Sequence, residues 1–190
     1  EQQDYAQSDA ALSGLLESED PYIALNAAVS CARSLVDRER LEEAQTVVEA
    51  LAAKRSELLN RTFAEAEVDF LLAYTRLSNL QYEPARHALE TFERLHPDAP
   101  ERLRLTVRQM LQELRGHQPE SLSEVSDLMV YAGRRLANGE PGDAVQARQQ
   151  RAIDLLAKLI EQAEQQERQA GACKDCGGKG CKKCQGKGNM

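Results

Sequence analysis

The sequence predicts an all-α protein, and three observations support that prediction. Apolar residues recur at helical spacing from Tyr5 to about Arg168. Hydrophobic residues make up 42% of the chain, which is enough for a packed core. Aromatic residues make up only 4% and tryptophan is absent, a composition that favours helices packed through alanine and leucine over a β-sandwich. We therefore expect about eight helices and no strands.

Capping residues and breaks mark the expected helix ends. Asp20-Pro21 combines an N-cap with proline at the first helical position. Thr62 and Glu65 have the spacing of a capping box, which predicts another helix start. Three segments rich in turn-forming residues mark breaks between later helices: 95–100, 116–119 and 138–142.

An internal repeat runs through the first half of the chain with a period of 41 residues, as the step from Ala32 to Ala73 illustrates. Both units follow helical spacing, and a pair of helices repeated in tandem is typical of an α-solenoid. Six apolar positions recur at this offset: Ala32, Val36, Leu41, Ala44, Val48 and Leu51 recur as Ala73, Leu77, Tyr82, Ala85, Leu89 and Phe92.

The second unit resembles a tetratricopeptide repeat between Glu65 and Asp98. This resemblance implies a helix–turn–helix unit in a curved array whose concave face takes a protein or peptide segment. It rests on a large-then-small pair in the first helix, three positions of the second helix and a closing proline: Leu72-Ala73, Tyr82, Ala85, Leu89 and Pro97.

The first unit, about Ala24 to Leu58, departs from the tetratricopeptide pattern. Ser56 stands where the closing proline is expected. The 41-residue spacing also exceeds the usual ~34 residues, which an insertion near 57–61 would explain. Two units are fewer than such arrays usually need, so we expect flanking helices to cap them.

The downstream sequence supplies these flanking helices. One apolar stripe is expected to cap the second repeat, and two further stripes joined by a turn at Asn138–Gly142 predict an antiparallel αα-hairpin. The polar stretch 162–169 should then project into solvent. The stripes favour an intramolecular core, and the hairpin is also a candidate surface for a homo-oligomer. The capping stripe consists of Leu103, Val107, Met110, Leu111 and Leu114. The first stripe of the hairpin consists of Leu122, Val125, Leu128, Met129, Ala132 and Leu136, and the second of Val145, Ala152, Leu155, Leu156, Leu159, Ile160 and Ala163.

The C-terminal tail carries the clearest chemical signal. Residues 173–180 and 181–188 both read C-x-x-C-x-G-x-G. Two adjacent C-x-x-C pairs supply the four thiolates of a closed tetrahedral zinc site, and nearby lysines favour the thiolate form. The glycines between the pairs permit the sharp reversal that brings them together. We predict one structural Zn²⁺ bound by Cys173, Cys176, Cys181 and Cys184.

The same octets resemble the repeats of the cysteine-rich zinc domain of DnaJ-type co-chaperones. The resemblance covers Cys173 to Gly188, and because that family carries four repeats where this chain has two, it implies one zinc site. A redox or disulfide role for the cysteines, an unstructured tail and an iron–sulfur site remain alternatives. A nucleic-acid backbone is disfavoured because no aromatic residue lies in the tail to stack on bases.

These features divide the chain into a tetratricopeptide-like helical repeat domain (1–116), an αα-hairpin with a long C-terminal helix (117–170) and a zinc-binding tail (171–190). The formal net charge is −7, and because 171–190 contains five lysines and one aspartate, residues 1–170 carry −11. An acidic body disfavours general nucleic-acid binding. No apolar run approaches the ~20 residues of a membrane span.

The sequence is compatible with two cellular compartments. The chain begins at Glu1, which fits either a processed export product or a shortened chain, whereas zinc thiolates are easier to maintain in a reducing cytosol.

The remaining cysteine and the histidines, which could be functional residues, have structural explanations. Cys31 aligns with Leu72 in the repeat and is expected to be a small core residue. His96-Pro97-Asp98 spells the tripeptide of J domains, but the preceding helix is mixed and acidic, and the tripeptide falls where the repeat unit ends. The histidines are dispersed, and neither a nucleophile motif nor a phosphate-binding glycine loop is present.

The sequence therefore favours a non-enzymatic scaffold or adaptor that binds a protein or peptide partner and carries one structural zinc. The alternative is a chaperone-like or thiol–disulfide redox protein that uses the paired C-x-x-C motifs.

Overall fold

The computed structural model describes residues 10–58 and 64–171, and in these ranges every regular element is a helix. The expected all-α class is confirmed for this part of the chain. The helices are α1 (residues 10–16), α2 (Pro21–Asp37), α3 (Leu41–Ala53), α4 (Arg55–Leu58), α5 (Glu65–Ser78), α6 (Tyr82–Leu95), α7 (Glu101–Gly116), α8 (Leu122–Ala137) and α9 (Asp143–Gly171).

Several helix ends follow from local chemistry. The Asp20 carboxylate accepts a hydrogen bond from Tyr22 N at 2.9 Å, and Pro21 occupies the first helical position, which confirms the predicted start of α2. The predicted breaks at 95–100, 116–119 and 138–142 separate α6, α7, α8 and α9. The expected cap at Thr62 lies outside the described residues.

The turns within the two helix pairs fall 41 residues apart and share one geometry. Glu39 and Leu80 both adopt positive φ, at 59° and 61°. In the first turn Arg40 N donates to Leu35 O, and in the second Gln81 N donates to Arg76 O, each at 2.9 Å. This six-residue closure around a left-handed residue is a Schellman motif. The turn after α8 repeats it, with Gly139 at φ 75° and Glu140 N bonded to Arg135 O.

One large apolar cluster unites α2, α3, α5, α6 and α7. α3 packs against α5, and α7 packs against α6 as the predicted capping helix. Phe92 and Leu89 are the largest side chains that are fully removed from solvent. The buried members of the cluster are Leu25, Val29, Ala32, Val48, Leu51, Val68, Leu71, Leu72, Ala73, Ala88, Leu89, Phe92, Ala99, Leu103, Val107, Met110, Leu111 and Leu114.

Helices α8 and α9 pack against each other as an antiparallel pair. Two ion pairs run across it in opposite sequence order: Glu124 meets Arg151 at 3.4 Å, and Glu120 meets Lys158. A small second apolar cluster lies between the helices, built from Val125, Leu128, Ala152 and Leu155. Residues 161–168 of α9 are exposed, as the polar sequence there predicts.

The apolar stripes of the hairpin, for which the sequence favours an intramolecular core, are only partly buried. Val125, Leu128 and Ala132 on α8 face inward, whereas Leu122, Met129 and Leu136 on the same helix are exposed. On α9 the buried residues are Val145, Ala152 and Leu155, and the exposed ones include Leu156 and Ile160.

Candidate functional site

A cleft of about 840 Å³ lies between helices α5 to α7 and one face of α8. It has about twice the volume of a second depression, of about 440 Å³, between α1, α2 and α3. Three tyrosine rings, several aliphatic side chains and three acidic residues surround it. Its lining includes Glu39, Tyr74, Leu77, Tyr82, Glu113, His117, Asp127, Val130, Tyr131 and Arg134.

Arg134 holds α8 in the position that forms the cleft. Its guanidinium is buried and donates to Ser78 O at 3.0 Å and to Asn79 Oδ1 at 2.9 Å. Glu42 Oε1, 3.5 Å away, supplies the opposite charge. The guanidinium also lies 5.2 Å from the centre of the Tyr131 ring. One side chain of α8 therefore joins the turn between α5 and α6 to the start of α3.

Asn79 extends this connection to the first helix pair. Its side-chain amide donates to Leu41 O at 3.3 Å and to Gln45 Oε1 at 2.8 Å. Asn138, in the turn after α8, donates to Glu39 O at 3.0 Å. The three turns with a left-handed residue, after α2, α5 and α8, are thus linked by hydrogen bonds along one edge.

The floor of the cleft contains a small polar group built on Tyr82, His117 and Asp127. The Tyr82 hydroxyl donates to Asp127 Oδ2 at 3.0 Å, and the Tyr82 and His117 rings lie 4.2 Å apart. His117 Nδ1 is 3.7 Å from the same carboxylate oxygen, too far for a good hydrogen bond. Burial, together with the charge of Asp127, raises the pKa of Tyr82 well above its usual value. The tyrosine therefore stays neutral and acts as a hydrogen-bond donor.

The lining of the cleft combines negative charge with aromatic faces. Glu39, Glu113 and Asp127 contribute carboxylates, whereas the charge of Arg134 is already matched by Glu42. Val130 is 65% exposed at the rim and adds apolar surface. Carboxylates and tyrosine rings together suit a cationic group carried on an apolar segment.

A second buried polar group lies apart from the cleft. The Asp69 carboxylate, on α5, is buried and is bound by Arg55 and by His96 Nε2, the latter at 2.7 Å. The Arg55 guanidinium has a raised pKa because it donates to this carboxylate. His96, the first residue of the J-domain-like tripeptide, also packs beside Phe92 with ring centres 5.3 Å apart. His96 therefore serves to satisfy a buried carboxylate.

The predicted metal ligands Cys173, Cys176, Cys181 and Cys184 lie outside the described residues. Within 10–58 and 64–171 there is no group of three or more His, Cys, Asp or Glu side chains arranged to hold a metal ion. Cys31 is half-buried beside the smaller depression between α1, α2 and α3, where a fully buried core position was expected.

Comparison with known proteins assigns no relative to this chain. No protein-family model matches it, and neither a curated protein nor a solved structure is significantly similar to it. Among the helices described, none combines the length and apolarity that crossing a bilayer requires.

Cleft residues that the sequence alone did not indicate include Arg134, Tyr131 and Asp127. In sequence they look like the solvated face of α8. The sequence pattern that could have indicated this part of the cleft is Arg134 one turn after Tyr131, on a helix that also carries an apolar stripe.

Proposed function

We propose that the protein is a non-enzymatic scaffold that binds a cationic, partly apolar segment of a partner protein in the cleft beside α8. The cleft carries this proposal, because three tyrosine rings and the carboxylates of Glu39, Glu113 and Asp127 line a space of about 840 Å³. A peptide segment in extended or helical form needs such a concave, partly apolar surface with a few oriented polar groups.

The tetratricopeptide-like interpretation of α2 to α7 supports an interaction role. Two helix pairs with the same turn geometry stand 41 residues apart, and the twelve apolar positions of the repeat are all buried or half-buried. Stacked helix pairs of this kind create extended binding surfaces. In this proposal α7 closes the array and α8 forms the second wall of its binding cleft.

A structural zinc in the tail is the second part of the proposal. The support is chemical: four cysteines in two C-x-x-C pairs, surrounded by lysines, match the donor set of a closed zinc site. Bound there, Zn²⁺ would order a segment that has almost no apolar side chains of its own to bury. Cys173, Cys176, Cys181 and Cys184 would hold it.

A thiol–disulfide or chaperone-like activity is the alternative, and the paired C-x-x-C motifs favour it. The two functions differ in an insulin-reduction assay. The scaffold proposal expects the same rate for the natural protein and a Cys173→Ser, Cys176→Ser variant. A rate for the natural protein that clearly exceeds the variant's would favour the redox function.

Peptide binding in the cleft can be tested with peptides of known sequence. Peptides selected from a random display library on the full-length protein should be enriched in lysine or arginine beside apolar residues. Binding of one such labelled peptide, followed by fluorescence anisotropy, should weaken at least about tenfold in Val130→Lys because the substitution adds bulk and positive charge at the rim.

Leu105→Lys is the matched control, because Leu105 is 56% exposed on α7 and is not among the residues that line the cleft. It should leave the peptide affinity unchanged. Equal losses in the two variants, or selected peptides with no excess of basic residues, would contradict a cationic ligand in this cleft.

A further inference from the structure

The α8–α9 hairpin exposes a row of apolar residues that, on α8, lies opposite the cleft-lining side. We define this hairpin face by Leu122, Met129 and Leu136 on α8 and by Ile153, Leu156 and Ile160 on α9; their side chains are between 36% and 68% exposed. On both helices these residues lie about a quarter-turn from the residues that join α8 to α9. The opposite side of α8 carries Asp127, Tyr131 and Arg134, which line the cleft.

The hairpin face has the residue pattern of a helix-pairing seam. Leu122, Met129 and Leu136 are spaced at intervals of seven residues, and Gln146, Gln149, Ile153, Leu156, Ile160, Ala163 and Glu167 follow alternate steps of three and four. Alternate steps of three and four define a heptad seam. The seam continues along α9 beyond the region that α8 covers, since residues 161–168 are exposed.

We infer that the hairpin face binds a second copy of this chain. The seam holds no charged residue from Gln146 to Ala163, although residues 1–170 carry a net charge of −11. A basic partner would find no acidic group within the seam to recognise. Two acidic copies, by contrast, can bring uncharged faces together and keep their like charges at the periphery.

The order of residues along α9 fits an antiparallel, two-fold arrangement centred next to Leu156. Ile153 of one copy then faces Ile160 of the other, and Gln146 faces Glu167. A two-fold interface needs this self-complementarity, in which residue i meets j and j meets i. A parallel arrangement would place the two Glu167 carboxylates opposite each other, which is unfavourable.

Light scattering and sedimentation equilibrium on the full-length protein test this inference, which does not depend on the proposed ligand of the cleft. Over a roughly thousandfold range of concentration, the mass should rise from the 21.1 kDa of one chain to twice that value. Ile160→Glu should raise the dimer dissociation constant at least about 100-fold, because both copies place a charge in the seam. Leu105→Glu, at an equally exposed residue of α7, should leave it unchanged.

A gain of affinity tests the orientation without any risk to the fold. Gln146→Lys should strengthen the dimer about three- to tenfold, since each new ammonium faces Glu167 of the other copy. In a parallel dimer the same substitution would bring two lysines together and weaken it. A natural protein that stays monomeric throughout, a dimer unaffected by Ile160→Glu, or one abolished by Cys176→Ser alone would overturn the inference.

Discussion

At the scale of single residues, the structure depends on a few polar side chains that connect helices far apart in sequence. Arg134 is the clearest example, because its guanidinium reaches Ser78, Asn79 and Glu42 from a buried position. Asp69 plays a similar role by accepting from Arg55 and His96. Buried charges of this kind specify how elements meet, since removing one partner leaves the others without compensation.

Replacing Arg134 with methionine should destabilise the protein by about 2–4 kcal/mol, because Ser78 O and Asn79 Oδ1 would lose their buried donor while the apolar stem is largely kept. Urea denaturation followed by circular dichroism measures the change. Arg168→Met is the control: Arg168 pairs with Glu164 on the exposed surface of α9, so its loss should stay within about 0.5 kcal/mol. Similar losses of unfolding free energy in both variants would show that the hydrogen bonds of Arg134 contribute little to stability.

At the scale of elements, three helix pairs are closed by the same turn with different residues at its left-handed position. Glu39 and Leu80 hold positive φ in the first two turns, and Gly139 does so in the third. Only glycine reaches this region without steric cost. Leu80 has a compensating contact, because its side chain packs against the apolar cluster of the hairpin. Glu39, by contrast, is exposed.

Glu39→Gly should therefore stabilise the protein by about 0.5–1 kcal/mol, since glycine relieves the positive φ at the end of α2. Gly139→Ala should have the opposite effect and cost about 1 kcal/mol, although no atom lies within 4 Å of the added methyl group. The midpoint of chemical denaturation of each variant is compared with that of the natural protein. A destabilised Glu39→Gly variant would mean that the glutamate contributes more than its backbone strain costs.

At the scale of the whole molecule, two apolar clusters of unequal size are joined by a polar edge. The larger cluster spans α2 to α7, and the smaller one lies inside the α8–α9 hairpin. Arg134, Asn138 and Tyr82 make hydrogen bonds across the boundary between them. Residues 172–190 offer almost no apolar side chains for a core, so the helical body should fold without help from the cysteine-rich tail.

Cys176→Ser should abolish metal binding and leave the helical content and denaturation midpoint of the body unchanged. Three remaining thiolates cannot complete the tetrahedral site. Metal content by plasma mass spectrometry on protein purified under reducing conditions should be about one zinc per natural chain and none in the variant. A natural chain without zinc would favour the redox alternative, and a loss of helicity in the variant would contradict an independent body.

Much of the helical organisation followed from local sequence, whereas the cleft did not. The Asp20-Pro21 start of α2, the breaks at 95–100 and 138–142 and the buried stripe of α7 were all predictable, because caps, turns and helical periodicity act over a few residues. The cleft depends on Arg134 meeting Asn79, which are 55 residues apart in sequence. Neither residue has a pattern that indicates this contact in advance.

The sequence by itself determined that the chain is helical, where α2 begins, where the breaks between α6 and α9 fall, and that apolar positions repeat at 41 residues. Those properties depend on side-chain periodicity and on local backbone preferences. Only the tertiary structure decided which half of the hairpin stripe is buried and which half remains exposed as the hairpin face. A wide apolar arc on a helix cannot be covered by one neighbouring helix, and the position of that neighbour is fixed by contacts distant in sequence.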